Sequence, residues 1–148
     1  MANHFEDSLL SYADFATLTG TSEVAVKAAV RGGTLLAVHR SMPDGTSQSG
    51  VAGFQALPEI RGEPLSRVLA ALGFLLPDNE TVDAAVAYSF FLARHELLDG
   101  LTPTEVLTGS PCRAVTEEVR EFLTRPHAER VDLVVRVARA TAESMRYS

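Results

Sequence analysis

Two cations spaced four residues apart give the clearest sign of chemistry in this sequence. Lys27 and Arg31 lie in a segment of helical periodicity that begins after Ser22 and ends at Gly32-Gly33. In a helix, residues four apart share a face, so both cations could meet phosphate groups or guanine. Arg40 could add a contact to a nucleic-acid backbone. The predicted nucleic-acid contacts are Ser22, Glu23, Ala25, Lys27, Ala28, Arg31 and Arg40.

The elements around this helix have the order of a winged helix-turn-helix. A first helix is predicted from the Ser11 cap through Leu18, and Gly20-Thr21 makes the turn to the second helix. Residues 34–38 and 50–54 have strand character on either side of a polar turn, which predicts a β-hairpin wing. In this architecture the second helix enters the major groove of DNA. The alternative is a solvated helix in a small α/β domain.

Residues 61–148 are predicted to be helical, which makes the chain mainly α. A winged helix-turn-helix domain over residues 1–60 would precede a helical bundle over residues 61–148. In the bundle, a helix from Glu80 to Arg94 is apolar around most of its circumference, and Phe90 and Phe91 belong to it. Such a helix is either central to a core or in contact with a partner. The other predicted helices cover residues 64–72, 103–107, 115–123 and 127–145.

Enzyme and metal chemistry have weak support in this sequence. His95-Glu96-Leu97-Leu98-Asp99 has the opening of a zincin helix, but its fifth residue is Asp and Gly100 follows. Arg113 could lower the pKa of the neighbouring Cys112 thiol, although an inert thiol is the simpler interpretation. The sequence has no P-loop, dinucleotide-binding loop or GxSxG motif. We therefore predict no catalytic residue, metal ion or cofactor.

Composition limits the remaining classes. The chain has 148 residues, of which 46% are hydrophobic and 22% charged, as in ordinary globular proteins. It has one cysteine and no apolar run long enough for a membrane span, and its acidic start suggests a cytoplasmic protein. The net charge of −6 argues mildly against a nucleic-acid partner. Residues 22–40, however, contain three basic residues, Lys27, Arg31 and Arg40, and one acidic residue, Glu23, so this segment is locally positive. We therefore expect weak DNA binding, by a dimer or with a partner.

Three stretches of the sequence resemble known regulators, and one of them, GFQALPEIRGEPLSRVLAAL, is similar to the wing return and following helix of a bacterial antitoxin-like group. LLSYADFATLTGTSEVAVKAAVRGGTLLAVHR looks like the opening of excisionase and MerR-type winged helix-turn-helix domains. AYSFFLARHELLDGLTPTEVLTG resembles the toxin-binding domain of Xre/MbcA/ParS-type antitoxins, with its Leu-x-Gly-x-[Ser/Thr]-Pro-x-Glu-x-Leu segment. The likeness covers about residues 9–110.

The resemblance implies the antitoxin of a type II toxin–antitoxin pair. One end would bind operator DNA and the helical end would bind a partner, in this family often a RES-domain toxin that consumes NAD. The implied partner contacts are Phe90, Phe91, Leu98, Asp99, Gly100, Thr102, Pro103 and Leu107. The apolar side of the last helix, Val131–Val135, is a candidate homodimer seam. The alternative function is a protein-interaction or scaffold protein whose helix-turn-helix no longer binds DNA.

Overall fold

The protein is mainly helical with a small antiparallel sheet, as the sequence predicts. A computed structural model describes residues 9–41, 43–73 and 84–146. In these ranges no helix is both long enough and apolar enough to cross a membrane. The elements are β1 (Leu9–Leu10), α1 (Tyr12–Thr19), α2 (Glu23–Arg31), β2 (Ala37–Ser41), β3 (Ser47–Ala52), α3 (Glu63–Leu72), α4 (Ala84–Leu92), α5 (Pro103–Thr108), α6 (Glu117–Phe122) and α7 (His127–Arg146), with short 3-10 helices at Gly53–Ala56 and Glu96–Leu98.

The first two helices begin and end where their capping residues predict. The Ser11 hydroxyl accepts a hydrogen bond from Asp14 N at 3.0 Å, which starts α1. Gly20 ends α1 in the left-handed conformation with φ 72°, which glycine adopts without a steric penalty. The Ser22 hydroxyl accepts from Ala25 N at 3.1 Å and starts α2. The helix, tight turn and helix of the predicted motif are therefore present.

The sheet differs from the predicted hairpin in its number of strands and in their bounds. It has three strands in the order β1-β3-β2, and both pairings are antiparallel. The sequence predicts strands at residues 34–38 and 50–54, whereas β2 covers Ala37–Ser41 and β3 covers Ser47–Ala52. Strand β1 was not predicted, because a two-residue strand is too short to show an alternating pattern. The turn at Pro43-Asp44-Gly45 is confirmed, and Thr46 N donates to Asp44 Oδ1 at 3.0 Å.

Two contacts explain why the first wing strand begins late. Thr34 N still donates to Ala29 O at 3.0 Å, so the chain is leaving α2 at this residue. The buried Gln55 side chain then takes the place of a neighbouring strand for Leu36. Its Oε1 accepts from Leu36 N at 2.7 Å, and its Nε2 donates to Leu36 O and to Ala52 O, both at 3.0 Å. Leu36 O also accepts from Ala52 N of β3 at 3.2 Å. Main-chain pairing therefore reaches the Leu36 carbonyl but not its N–H, and the regular strand begins at Ala37.

The helical half builds the main core. In α3, the predicted apolar stripe of Leu65, Val68, Leu69 and Leu72 is buried. Much of the apolar surface of α4 lies inside the molecule, since Phe90 and Phe91 are 4% and 0% exposed, whereas Val86 on the same helix is 37% exposed. The part of the predicted 80–94 helix that precedes residue 84 lies outside the described residues. The main core also includes Leu36 and Phe54, so residues on both sides of position 60 share it.

The last helix folds back on this core, which corrects the predicted homodimer seam. Helix α7 packs against α3 and α5. Its apolar face is buried there, with Val131 3%, Val134 0% and Val135 6% exposed. Because the stripe is covered by the same chain, it is not a free surface for a second copy. The helix bounds, predicted as residues 127–145, are His127–Arg146.

Candidate nucleic-acid interface and partner junction

Helix α2 is attached to the rest of the molecule by a small apolar cluster. The cluster consists of Phe15, Ala16, Val26 and Val51, all of which are buried. In α2 itself only Val26 is buried, at 3% exposure, while Ala29 and Val30 are half-buried. The helix therefore lies on the surface along its whole length, and it packs on the molecule through Val26 and the half-buried Ala29 and Val30.

The predicted contact residues of α2 are on the outside. Ser22, Glu23, Ala25, Lys27, Ala28 and Arg31 are all exposed. At 100° per residue, Val24, Ala28 and Arg31 lie roughly opposite the buried Val26. Val24 is 77% exposed and was not among the predicted contacts. The centre of the outward face is therefore apolar, with a cation at its C-terminal end.

Lys27 lies on one side of that face and interacts with two neighbouring side chains, Glu23 and Tyr12. Its Nζ is 3.3 Å from Glu23 Oε2, and both side chains are about half exposed. The same Nζ lies 5.8 Å from the centroid of the Tyr12 ring. An exposed pair of this kind contributes about 0.3–0.5 kcal/mol, so DNA phosphate could displace Glu23 at small cost. Arg31 has no salt bridge within the described part of the chain.

Arg61 lies on the other side of α2, and sequence reasoning missed it. Its Nη1 donates to Thr19 O in the helix-turn-helix turn at 3.3 Å. Together with Thr21 and Ala25, it lines a groove of about 410 Å³. Arg61 follows the predicted domain boundary at residue 60, and no local pattern links it to a turn 42 residues earlier. It approaches α2 only because the intervening chain folds back.

The β-hairpin wing carries one predicted contact residue, Arg40. Arg40 lies in β2 opposite Gln48 of β3. The structure gives the backbone of Arg40, and its side chain lies outside the described residues. Its predicted contact with a DNA backbone therefore stays a prediction.

The Leu98–Leu107 segment forms a junction around one buried carboxylate. Glu105 is 1% exposed, and Thr102 and Glu105 form the predicted capping box of α5. The Glu105 carboxylate accepts from Thr102 N at 2.9 Å, from Cys112 N at 2.7 Å and from Arg113 Nη1 at 3.1 Å. Arg113 Nη2 also donates to Gly100 O at 2.6 Å. The junction thus joins the loop before α5 to the loop after it.

The electrostatics of the junction keep Glu105 charged. Burial raises the pKa of this carboxyl, but the N–H donors of Cys112 and Thr102 and the charge of Arg113 outweigh burial. The pKa of Glu105 therefore lies below its ordinary value of 4.5. At the other end of α5, Arg130 Nη1 donates to Val106 O at 2.6 Å, so α7 holds the C-terminal carbonyls of α5.

The predicted partner contacts are for the most part core residues. Phe90, Phe91, Leu98 and Leu107 are at most 4% exposed, and Pro103 is buried. Of the others, Asp99 is exposed, while Gly100 and Thr102 are half-buried. The junction instead exposes Leu97, at 68%. The periodicity of the apolar residues could not show this, because Leu97 and Leu98 are adjacent and a 3-10 turn, not an α-helix, orients them.

His95 and Cys112 take part in local structure. The His95 Nε2 atom lies 3.1 Å from Phe90 O, and its ring centroid is 4.7 Å from that of Phe90. The backbone N–H of Cys112 bonds to Glu105, and the cysteine is exposed. Among the described residues, no three His, Cys, Asp or Glu side chains are grouped so that they could hold a metal ion.

Comparisons with protein-family models, curated proteins and solved structures find no match to this chain. The resemblance to excisionase-like domains and antitoxins therefore stays a prediction. Two features of the molecule remain as the basis for function: the exposed helix α2 with cations on both sides, and the junction with its exposed Leu97.

Proposed function

We propose that this protein is a DNA-binding regulator that also binds a protein partner, in the manner of a type II antitoxin. One observation carries the DNA part of the proposal. Helix α2 follows a tight turn, precedes a β-hairpin and is exposed along its length, with Lys27 on one flank and Arg61 on the other. A helix presented in this way can lie in the major groove while the flanking cations contact phosphates.

The charges of the site predict weak binding. Lys27, Arg31 and Arg61, with Arg40 from the wing, offer four cations per chain. Binders of moderate strength contact about 6–10 phosphates. Lys27 must also give up its pair with Glu23. Binding by a homodimer would double the number of cations and match a palindromic operator, so we include a dimer in the proposal.

The partner surface proposed for the helical half lies around the exposed Leu97. Leu97 and Asp99 project from the loop before α5. Beside them is a groove of about 340 Å³ lined in part by Asp99, Leu101 and Arg113. The antitoxin resemblance suggests a RES-type toxin as the partner. If the product of a neighbouring gene is such a toxin, it should copurify with the wild-type chain, and Leu97→Asp should weaken the complex while Leu18→Asp, at another exposed leucine, should not.

The alternative is an interaction protein whose helix-turn-helix does not bind DNA. One observation favours it: the centre of the outward face of α2 is apolar, since Val24 is 77% exposed and Ala28 lies beside it. Lys27 is also partly neutralised by Glu23. A protein partner could use such a face without any phosphate contact.

A titration with DNA separates the two functions. We would measure fluorescence anisotropy of the full chain with duplexes selected from a random library and with its own promoter, at 50 and 200 mM salt. Binding should weaken with salt, and removing one phosphate contact should reduce the slope of log K against log salt by about 1. The Lys27→Ala/Arg31→Ala variant should lose most of the binding.

The matched control removes the same kind of charge elsewhere. Arg136 and Arg139 are exposed on α7, far along the chain from α2, and Arg136→Ala/Arg139→Ala should leave the affinity unchanged. Equal losses in both double variants would indicate nonspecific attraction and contradict the proposed site. No binding to any duplex at 50 mM salt would favour the interaction protein.

A further inference from the structure

The residues of α2 that would meet base edges are apolar. In a helix-turn-helix the N-terminal residues of the second helix contact the bases. Here the exposed residues of that part are Val24, Ala25 and Ala28, besides Glu23 and Lys27. None of the three apolar side chains can donate or accept a hydrogen bond. The helix therefore has little means of reading bases through hydrogen bonds in its first two turns.

The polar residues nearby are engaged in the structure of the helix. The Ser22 hydroxyl accepts from Ala25 N at 3.1 Å as the cap of α2. Glu23 and Lys27 pair with each other at 3.3 Å, and Lys27 Nζ lies against Tyr12. Arg31 lies at the last position of the helix, about 10 Å along the axis from Val24. Hydrogen-bonded readout is thus confined to the far end of α2.

An apolar face can still read one feature of the major groove. Thymine carries a 5-methyl group there, and apolar side chains contact it. We propose that α2 recognises thymine methyl groups through Val24 and Ala28. This inference rests on the proposed DNA-binding function and names the sequence class that it prefers. The small side chains of Ala25 and Ala28 would let the helix backbone approach the base pairs closely.

The charges around the face favour DNA as its occupant. By the helical angle, Lys27 and Ala25 lie on opposite sides of the Val24–Ala28 line. Lys27 therefore supplies a cation on its own side of this line. Arg61 supplies one on the opposite side, where it lines a groove together with Ala25. A major groove is likewise bounded by phosphates on both sides of a row of base edges. A protein partner would not need cations in this arrangement.

Replacing thymine by uracil tests the inference directly. Deoxyuridine keeps the base pair and the phosphate and lacks only the 5-methyl group. Anisotropy titrations would compare a library-selected duplex with the same duplex made with deoxyuridine. Burial of one methyl-sized group corresponds to about fourfold in affinity, so two contacted methyl groups predict a loss of about fifteenfold. A second probe is a duplex in which cytosine replaces the contacted thymines. Methylating these cytosines at carbon 5 should restore part of the lost affinity.

A variant assigns the effect to the helix face. Val24→Ser keeps the Ala28 contact, so its preference for the thymine duplex over the uracil duplex should fall from about fifteenfold to about fourfold, while the control Ala140→Ser, on the exposed side of α7, should discriminate like the wild type. Equal affinity of the wild type for both duplexes would overturn the inference and leave the proposed function standing. Absence of binding to every duplex would overturn both. Discrimination that is undiminished in Val24→Ser would also overturn the inference.

Discussion

Helices α2 and α5 begin with the same capping device and lie in opposite surroundings. In each, a hydroxyl accepts a hydrogen bond of 3.1 Å from the N–H of the third helical residue, Ser22 from Ala25 and Thr102 from Glu105. Ala25 is exposed and its side chain makes no polar contact. Glu105 is 1% exposed, and its carboxylate accepts from Cys112 N and Arg113 Nη1 as well as from Thr102 N of the capping box. A single local device thus starts both a surface helix and a buried one.

The contrast separates residues used for folding from residues free for binding. At α5, the carboxylate of Glu105, the guanidinium of Arg113 and the carbonyl of Gly100 are all occupied within the chain. At α2, the side chains of Val24, Ala28 and Arg31 point outward. Most of the residues predicted to contact a protein partner, such as Leu98 and Leu107, are therefore part of the interior. Binding surfaces are to be sought at α2 and at the rim of the junction.

The largest expected effect is at the junction. Glu105→Ala would leave Arg113 Nη1 and two backbone N–H groups without their acceptor. Because the Arg113 side chain is 32% exposed and water can reach it, the expected cost is that of unsatisfied donors, about 2–3 kcal/mol. Urea denaturation followed by circular dichroism should show this drop in the free energy of unfolding. The control is Glu121→Ala, which removes an exposed carboxylate of α6 and should change stability by less than about 0.5 kcal/mol. Similar effects of both variants would break the contrast between the two helices.

The same carboxylate predicts a pH dependence. The pKa of Glu105 is lower in the folded chain than its ordinary value of 4.5, so the unfolded chain binds a proton more readily. The stabilisation is complete above about pH 4.5 and is lost as the pH falls through the lower folded pKa. The difference in unfolding free energy between wild type and Glu105→Gln should therefore shrink below pH 4.5. A difference that stays constant from pH 7 to pH 3 would contradict the predicted ionic role.

The two caps should differ in their energetic weight. Loss of an N-cap hydroxyl costs about 0.5–2 kcal/mol. Thr102→Ala should fall at the upper end, because it disturbs the capping box with the buried Glu105, and Ser22→Ala should fall at the lower end, because water can reach the freed N–H of Ala25. Thr102→Ser and Ser22→Thr, which keep the hydroxyl, are the matched controls. Equal costs for the two alanine variants would show that the surroundings of the helix do not matter.

Local chemistry made much of the fold predictable from the sequence. Caps such as Ser22 and Thr102 and stops such as Gly20 act over three or four residues, so their positions can be read directly. The apolar stripe of α3 was predictable because only one face of that helix is apolar. Strand β1, the start of β2 and the return of α7 depend on partners far along the chain, such as Gln55 for Leu36, and no local pattern contains them.

The candidate site divides in the same way. The outward position of Lys27 and Arg31 follows from the helical period, because both lie about 100° or more around the helix axis from Val26, the buried residue of α2. Arg61 reaches Thr19 across 42 residues, and Leu97 and Leu98 take opposite sides of a 3-10 turn. For α4, apolar side chains surround the helix, so the period could not say whether Phe90 faces the core or a partner. The structure places it in the core.

The smallest expected effect on stability is at Val24, where it should carry the opposite sign. A valine that is 77% exposed on a helix contributes little burial, and its branched side chain lowers helix propensity relative to alanine. Val24→Ala should therefore leave stability unchanged or raise it by a few tenths of a kcal/mol, at most about 0.7. The same urea titration measures this change in the free energy of unfolding, whose sign should be opposite to that of Glu105→Ala.

On the proposed function, Val24 contributes to DNA binding and not to the stability of the fold. Val24→Ala should therefore weaken binding to a thymine-containing duplex while the chain becomes no less stable, a combination that loss of structure cannot produce. Ala28→Val, which adds an exposed valine one turn along, is the matched control for propensity and should lower stability by a similar few tenths of a kcal/mol. If Val24→Ala destabilised the chain by more than about 1 kcal/mol, Val24 would be a residue that stabilises the fold, like Glu105, and not one available for binding.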